Sequence, residues 1–300
     1  MNKSKVEVNC PNIIAASCKY PSGFFESSSG YSQKYARFES DTMLIEPTLE
    51  VAKNVLQKGK VDADQVDLIV TLCLSSDHLA YDSAIGGPRL CHPLQNELKA
   101  KNAWVFDMTD SSLVTTLQVV HTYLTTNHKK YALIVRAENS IGVSPDILSG
   151  FSLSDGVGAL LIENSNKKML DLPSLAYFQN SSKDYTKKYK PCIVTWNDKI
   201  EDVTDIKGII KFEYQKQLLF HISKDISNLA LDHKILYDGW FFLDKESFSQ
   251  HTKDGVFLGP LLPFYELSKV KSCDTYQVIS FNPFSLELQS FTIGTILQNE

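Results

Sequence analysis

Strand-length apolar runs alternate with stretches of helical spacing through the first half of the chain, and this alternation most restricts how it can fold. Ile13 to Ser17 reads as a strand, and a helix follows Pro47 with Leu49, Ala52, Val55 and Leu56 on one face. Val66 to Leu72 is a buried strand, Ser83 to Leu98 a helix and Ala103 to Asp107 a strand. A helix from Ser112 to about Thr125, the strand Tyr131 to Val135 and the strand Gly156 to Glu163 complete the pattern. Such an order predicts an α/β domain whose crossover helices cover a central sheet.

A polar break, Asn164 to Lys168, precedes a second half with noisier alternation. The spacing there predicts a long helix over 208–229, a strand over Tyr237 to Leu243, a short helix over Gly259 to Ser268, and strands at Tyr276 to Phe281 and Phe291 to Leu297. Residues 1–165 and 166–300 are expected to be two pseudo-repeated halves. No flexible linker separates them, and 43% hydrophobic content suffices for a single shared core.

A net charge of −5 argues against nucleic acid as a partner, and the densest basic run, Lys183 to Lys190, is short and interrupted. It reads as a solvated edge, with steering of an acidic carrier protein as a minor alternative. No segment approaches the roughly 20 apolar residues of a membrane span, and no signal peptide is recognised, so a cytosolic location is expected. The cysteines Cys10, Cys18, Cys73, Cys91, Cys192 and Cys273 lack ligand or disulfide spacing and are expected to be buried free thiols. His121 and His128 fall on one expected helix as packing or surface residues, so neither a metal nor another cofactor is expected.

Chemistry is suggested at one place, Trp104-Val105-Phe106-Asp107-Met108-Thr109-Asp110-Ser111-Ser112-Leu113. A strand, a short polar turn and a helix place Ser112 at a helix N-terminus, where backbone N–H groups and the helix dipole would activate a thiol. A serine hydroxyl is too weak an acid to gain as much. Ser111 and Ser112 also suit the N-cap, which is the favoured role.

Several motifs in order along the chain resemble β-ketoacyl-acyl-carrier-protein synthase III and its thiolase-fold relatives. Val66 to Val70 resembles that family's "IDLII" strand, Ala100 to Ala103 its "GAKNA", and Phe106-Asp107 the "FD" before the nucleophile. Ser154 to Glu163 resembles "GDGAGAVVLE", and Phe291 to Gly294 "FTWG". The resemblance implies a thiolase-type five-layered αβαβα fold. It also implies three catalytic positions, all substituted here. Ser112 stands for the cysteine, Asp244 for the histidine by alignment of Gly239 to Asp244 with "DWLVPH", and Val256 for the asparagine of "HGNTSAASVP". A carboxylate and an isopropyl group cannot donate hydrogen bonds to the enolate of a condensation. The family's glycine-rich oxyanion loop has become Asn282 to Ser290, with side chains and a proline.

The family's coenzyme A segment is shortened to Pro21 to Glu39, where Arg37 is the only arginine, so coenzyme A binding does not carry over. Assembly does. The family pairs two-fold through the strand before the nucleophile, here Ala103, Trp104, Val105 and Phe106. Ser76 to Ser83 resembles its "PDYLFPS" loop, placing Tyr81 at the crossing position, with packing at the loop base as the alternative.

The pattern is similar to the degenerate subunit of heterodimeric alkylquinolone-forming synthases. It implies a non-catalytic subunit that pairs with a cysteine-bearing homologue in acyl condensation, with an acyl carrier protein or acyl thioester as a further partner. One alternative is an acyltransferase using Ser112, which requires a base such as His221 or His251. Another is a homodimer that binds an acyl ligand.

Overall fold

The computed structural model describes residues 10–27, 33–39, 42–73, 90–108, 111–140, 154–165, 178–180, 193–197, 209–213, 234–238, 252–253, 256–282 and 285–295. In chain order the strands are β1 (Cys10–Lys19), β2 (Gly23–Ser27), β3 (Gln33–Arg37), β4 (Leu68–Leu72), β5 (Trp104–Met108), β6 (Tyr131–Glu138), β7 (Gly156–Ser165), β8 (Phe178–Asn180), β9 (Ile193–Asn197), β10 (Ile209–Glu213), β11 (Lys234–Asp238), β12 (Thr252–Lys253), β13 (Val256–Phe257), β14 (Asp274–Asn282) and β15 (Glu287–Thr295). The α-helices are α1 (Ile45–Gly59), α2 (Cys91–Leu98), α3 (Leu113–Thr126) and α4 (Leu262–Ser268).

The main sheet runs β11-β14-β15-β1-β7-β6-β4-β5, with β8 added to β15. Strands of the two halves meet where β1 pairs in parallel with β15, Asn12 opposite Gly294. Because side chains alternate along a strand, the central strands feed two apolar clusters on opposite faces. Ile69, Leu133, Val135 and Leu161 join Val51, Ala52 and Val55 of α1 on one face. Leu68, Val70, Leu72, Ile134 and Leu160 join Leu113, Val114, Leu117, Val120 and Leu124 of α3 on the other. This double coverage explains why β4 is buried throughout its length and apolar except at Thr71. The cluster around α3 also takes in Tyr276, Val278, Phe291 and Ile293 from β14 and β15, so this helix is packed by strands of both halves.

A buried clasp fastens the β2–β3 hairpin to β7. The Asp155 carboxylate accepts from Phe38 N at 2.7 Å and Ser140 N at 2.7 Å, while Ser154 Oγ accepts from Ala36 N at 3.1 Å. Arg37 Nη1 lies 3.6 Å from Asp155, so the arginine of the Pro21 to Glu39 segment serves this clasp. Burial pushes the Asp155 pKa up, and the Arg37 guanidinium opposes that shift.

The structure alters four expectations. Where a helix over 208–229 was expected, residues 209–213 form β10, an antiparallel partner of β9 with Ile210 opposite Trp196. Ile209-Ile210-Lys211-Phe212-Glu213 is a short apolar run whose type periodicity alone cannot decide, and long-range pairing decides it. The strand expected over Tyr237 to Leu243 starts earlier, as β11 at Lys234. His128 does not share the helix of His121. That helix ends at Thr126, Asn127 Nδ2 donates to Tyr123 O at 2.9 Å, and His128 takes a left-handed φ of 52°. Cys73 and Cys91 are buried thiols, but Cys273 is exposed, in the turn before β14.

Candidate functional site

The turn after β5 delivers the chain to α3, and Ser112 sits at its N-cap with extended φ −78° and ψ 155°. Ser112 Oγ accepts from Thr115 N at 3.0 Å and lies 3.0 Å from Thr115 Oγ1 and 3.3 Å from Gln289 Oε1. Thr115 Oγ1 donates to Gln289 Oε1 at 2.8 Å, which leaves its own lone pairs open to the Ser112 proton. The hydroxyl is buried at 1% exposure, and its partners are an amide, a hydroxyl and a carboxamide. None of these described partners can take up a proton near neutral pH, and the hydroxyl serves as the helix cap.

The other first-turn amides are also engaged. Leu113 N donates to Asp238 Oδ2 at 2.6 Å, and Val114 N lies 3.4 Å from Ser280 Oγ, which itself donates to Asp238 Oδ2 at 2.8 Å. Asp238 ends β11 and Ser280 lies on its parallel neighbour β14, in register across the pair. Behind them, Arg136 Nη1 stands 3.8 Å from Asp238 Oδ1 and 3.9 Å from Glu138 Oε1, while Arg136 Nη2 donates to Ser111 O at 3.0 Å. Arg136 and Glu138 are fully buried. Burial and the adjacent Asp238 push the Tyr237 phenol up out of its ordinary range.

Beside this turn, the Asp107 carboxylate accepts from Cys91 N at 3.1 Å and from Cys91 Sγ at 3.3 Å, and Thr71 Oγ1 also donates to it. Burial and the Asp107 charge push the Cys91 thiol up to about 12, so it is no thiolate nucleophile. His121 projects from α3 with its ring edge-on to Phe291, centroids 6.1 Å apart, and burial lowers its pKa. Among the described residues no histidine hydrogen-bonds to Ser112 Oγ; His221 and His251 lie outside the described residues, as do Tyr81 and Asp244. Val256 is buried in β13, whose strand pairs with β3, within an apolar cluster containing Ala36, Leu258, Leu261 and Leu262. No cluster of side chains suited to a metal occurs among the described residues, and no described helix is long and apolar enough to cross a membrane.

At the other end of the same feature, β5 is the outermost described strand of its sheet, pairing with β4 alone. Trp104 is 69% exposed there and packs at a tilt against Tyr123 of α3, centroids 5.9 Å apart. Val105 and Phe106 are half-buried, and Ala103, just before the strand, is buried.

Residue-level reading of the sequence located Ser112 and its capping role but missed Asp238, Arg136, Glu138, Ser280 and Gln289. Arg136 had left a trace, since it interrupts the apolar run of β6. Gln289 lies in the segment Asn282 to Ser290 already marked by its lost glycines, which was expected as a loop but whose residues 287–290 belong to β15.

No protein-family model matches the chain. Its sequence is 34% identical over 259 residues to the 2-heptyl-4(1H)-quinolone synthase subunit PqsB of Pseudomonas aeruginosa, covering 86% of this chain and 88% of that one. A β-ketoacyl-acyl-carrier-protein synthase III of Chlorobaculum tepidum is 28% identical over 123 residues, 40% of this chain and 35% of that one. Among solved structures, the priming β-ketosynthase of the R1128 polyketide pathway superposes with a TM-score of 0.70 over 99% of both chains at 14% identity. The fold is therefore of the thiolase type, and the chain belongs to the synthase-III-like condensing-enzyme family of the thiolase superfamily, together with the quinolone synthase subunit PqsB.

Proposed function

We propose that this chain is a non-catalytic subunit that pairs with a cysteine-bearing homologue in acyl condensation for fatty-acid-like or secondary-metabolite synthesis. The observation that carries this reading is the closed N-terminus of α3. Ser112 caps the helix, and its hydroxyl has no basic partner among the described residues. Substitution of Val256 at the asparagine position points the same way, because an isopropyl group donates nothing to a developing enolate. The similarity to PqsB, itself a synthase subunit by name, supports a heterodimer.

Pairing through β5 fits the position of that strand. Its outer edge carries backbone donors and acceptors that a second sheet can complete, and Trp104 with Tyr123 forms an aromatic platform beside it. Tyr81, which lies outside the described residues, is proposed to reach the partner's site, as the family resemblance of Ser76 to Ser83 implies.

Intact-mass measurement after incubation with acyl thioesters, with and without the homologue, tests the assignment. The expected result is acylation of the homologue and an unchanged mass for this chain. An acyl adduct on this chain that disappears in Ser112→Ala would replace the proposal with a serine acyltransferase.

A further inference from the structure

Loss of the cysteine is only part of what the site shows. In a helix N-terminus that activates a nucleophile, the first-turn amides and the positive end of the dipole face the reacting atom. Here the Asp238 carboxylate holds that place, accepting from Leu113 N at 2.6 Å and from Ser280 Oγ at 2.8 Å. It is 1% exposed. Among the described residues, the titratable side chains around it are Arg136 from β6, which also pairs with Glu138, and Tyr237 from β11. The described part of the cluster thus contains one guanidinium and two carboxylates.

We propose that Asp238 is an internal anion that occupies the N-terminus of α3 and keeps position 112 unreactive whatever nucleophile stands there. The inference deepens the proposed function and rests on its reading that this turn is out of use. A carboxylate beside the first turn offsets the dipole and opposes any second negative charge, whether a thiolate or the oxyanion of an acyl intermediate. Asp238 is a positioning and electrostatic residue and touches no substrate. Asp238 ends β11, whereas Asp244, the residue expected at the histidine position, lies outside the described residues.

The test places a thiol at the position and reads its acidity. Ser112→Cys, alone and combined with Asp238→Asn or with Ser280→Ala, is titrated by thiolate ultraviolet absorbance, with the wild-type chain subtracted for its six cysteines. The Ser112→Cys thiol is expected to titrate at or above the ordinary value of about 8.5. Adding Asp238→Asn is expected to lower the midpoint by at least about one pH unit, or roughly tenfold more thiolate at a given pH below it. Adding Ser280→Ala, which removes a hydrogen bond but no charge, is expected to leave the midpoint in place.

A single Ser112→Cys variant that already titrates well below the ordinary value overturns the proposal, and that variant decides the matter even where Asp238→Asn does not fold. Equal midpoints with and without Asp238, or an equal shift from Ser280→Ala, also overturn it. The outcome is separable from that of the proposed function. Acylation of Ser112 in the wild-type chain would end the non-catalytic reading, whereas the midpoints report only the charge at the helix terminus.

Discussion

Arg136 is fully buried between two carboxylates, and its guanidinium also donates to the Ser111 carbonyl. Desolvating three charges is costly, and their mutual attraction offsets the cost only while all three remain. Arg136→Met should therefore lower stability by about 3–5 kcal/mol, the range for breaking a buried ionic group, as read by denaturant unfolding. The paired change Arg136→Met with Asp238→Asn should recover part of that loss; a double variant no more stable than the single would show that charge is not the cause. This cluster was not legible in the sequence. Arg136, Asp238, Ser280 and Gln289 come from four strands separated by much of the chain, and only tertiary packing brings them to Ser112. Ser112 was legible because its role is local: a serine between an apolar strand and an apolar helix satisfies the Thr115 amide three residues on.

The long elements α3 and β7 were read from sequence nearly to their ends, as was the short buried strand β4. The exceptions include two short hairpins. The β9–β10 hairpin and the β2–β3 hairpin depend on partners that a five-residue window cannot reveal. Among the long elements, β7 is held close to α4 by the absence of a side chain at Gly158, where an added Cβ would come within 2.4 Å of Phe264 Cβ and Cγ. Gly158→Ala should cost about 1–3 kcal/mol through overpacking, measurable as a lower denaturation midpoint with an unchanged slope. At the edge of the sheet, Trp104→Lys should leave the isolated chain's stability within about 0.5 kcal/mol, since it alters an exposed residue. The same variant should weaken association with the proposed partner in sedimentation velocity. Undiminished association would place the interface elsewhere.

The whole molecule also carries groups that prefer to stay neutral. The Cys91 thiol is raised from 9.0 to about 12 by burial and by Asp107. The folded chain therefore holds that proton more tightly than the unfolded chain does. The stability it contributes is complete below the unfolded value of about 9.0 and is lost as pH rises toward the folded value near 12. Unfolding free energy should accordingly fall with increasing steepness above pH 9, and Cys91→Ala should flatten part of that slope while lowering stability at neutral pH. A slope unchanged by the substitution would assign the effect to other groups. On this scale the sequence was most informative: alternation and ordered motifs specified the layered fold, and the comparison structures share it. Under the proposed pairing, an outermost strand that stays open until another subunit closes it ties the abundance of this protein to that of the proposed partner. Copies synthesised in excess would present a bare backbone ladder to one another, so balanced production of the two proposed subunits would be a requirement for keeping either of them from clumping.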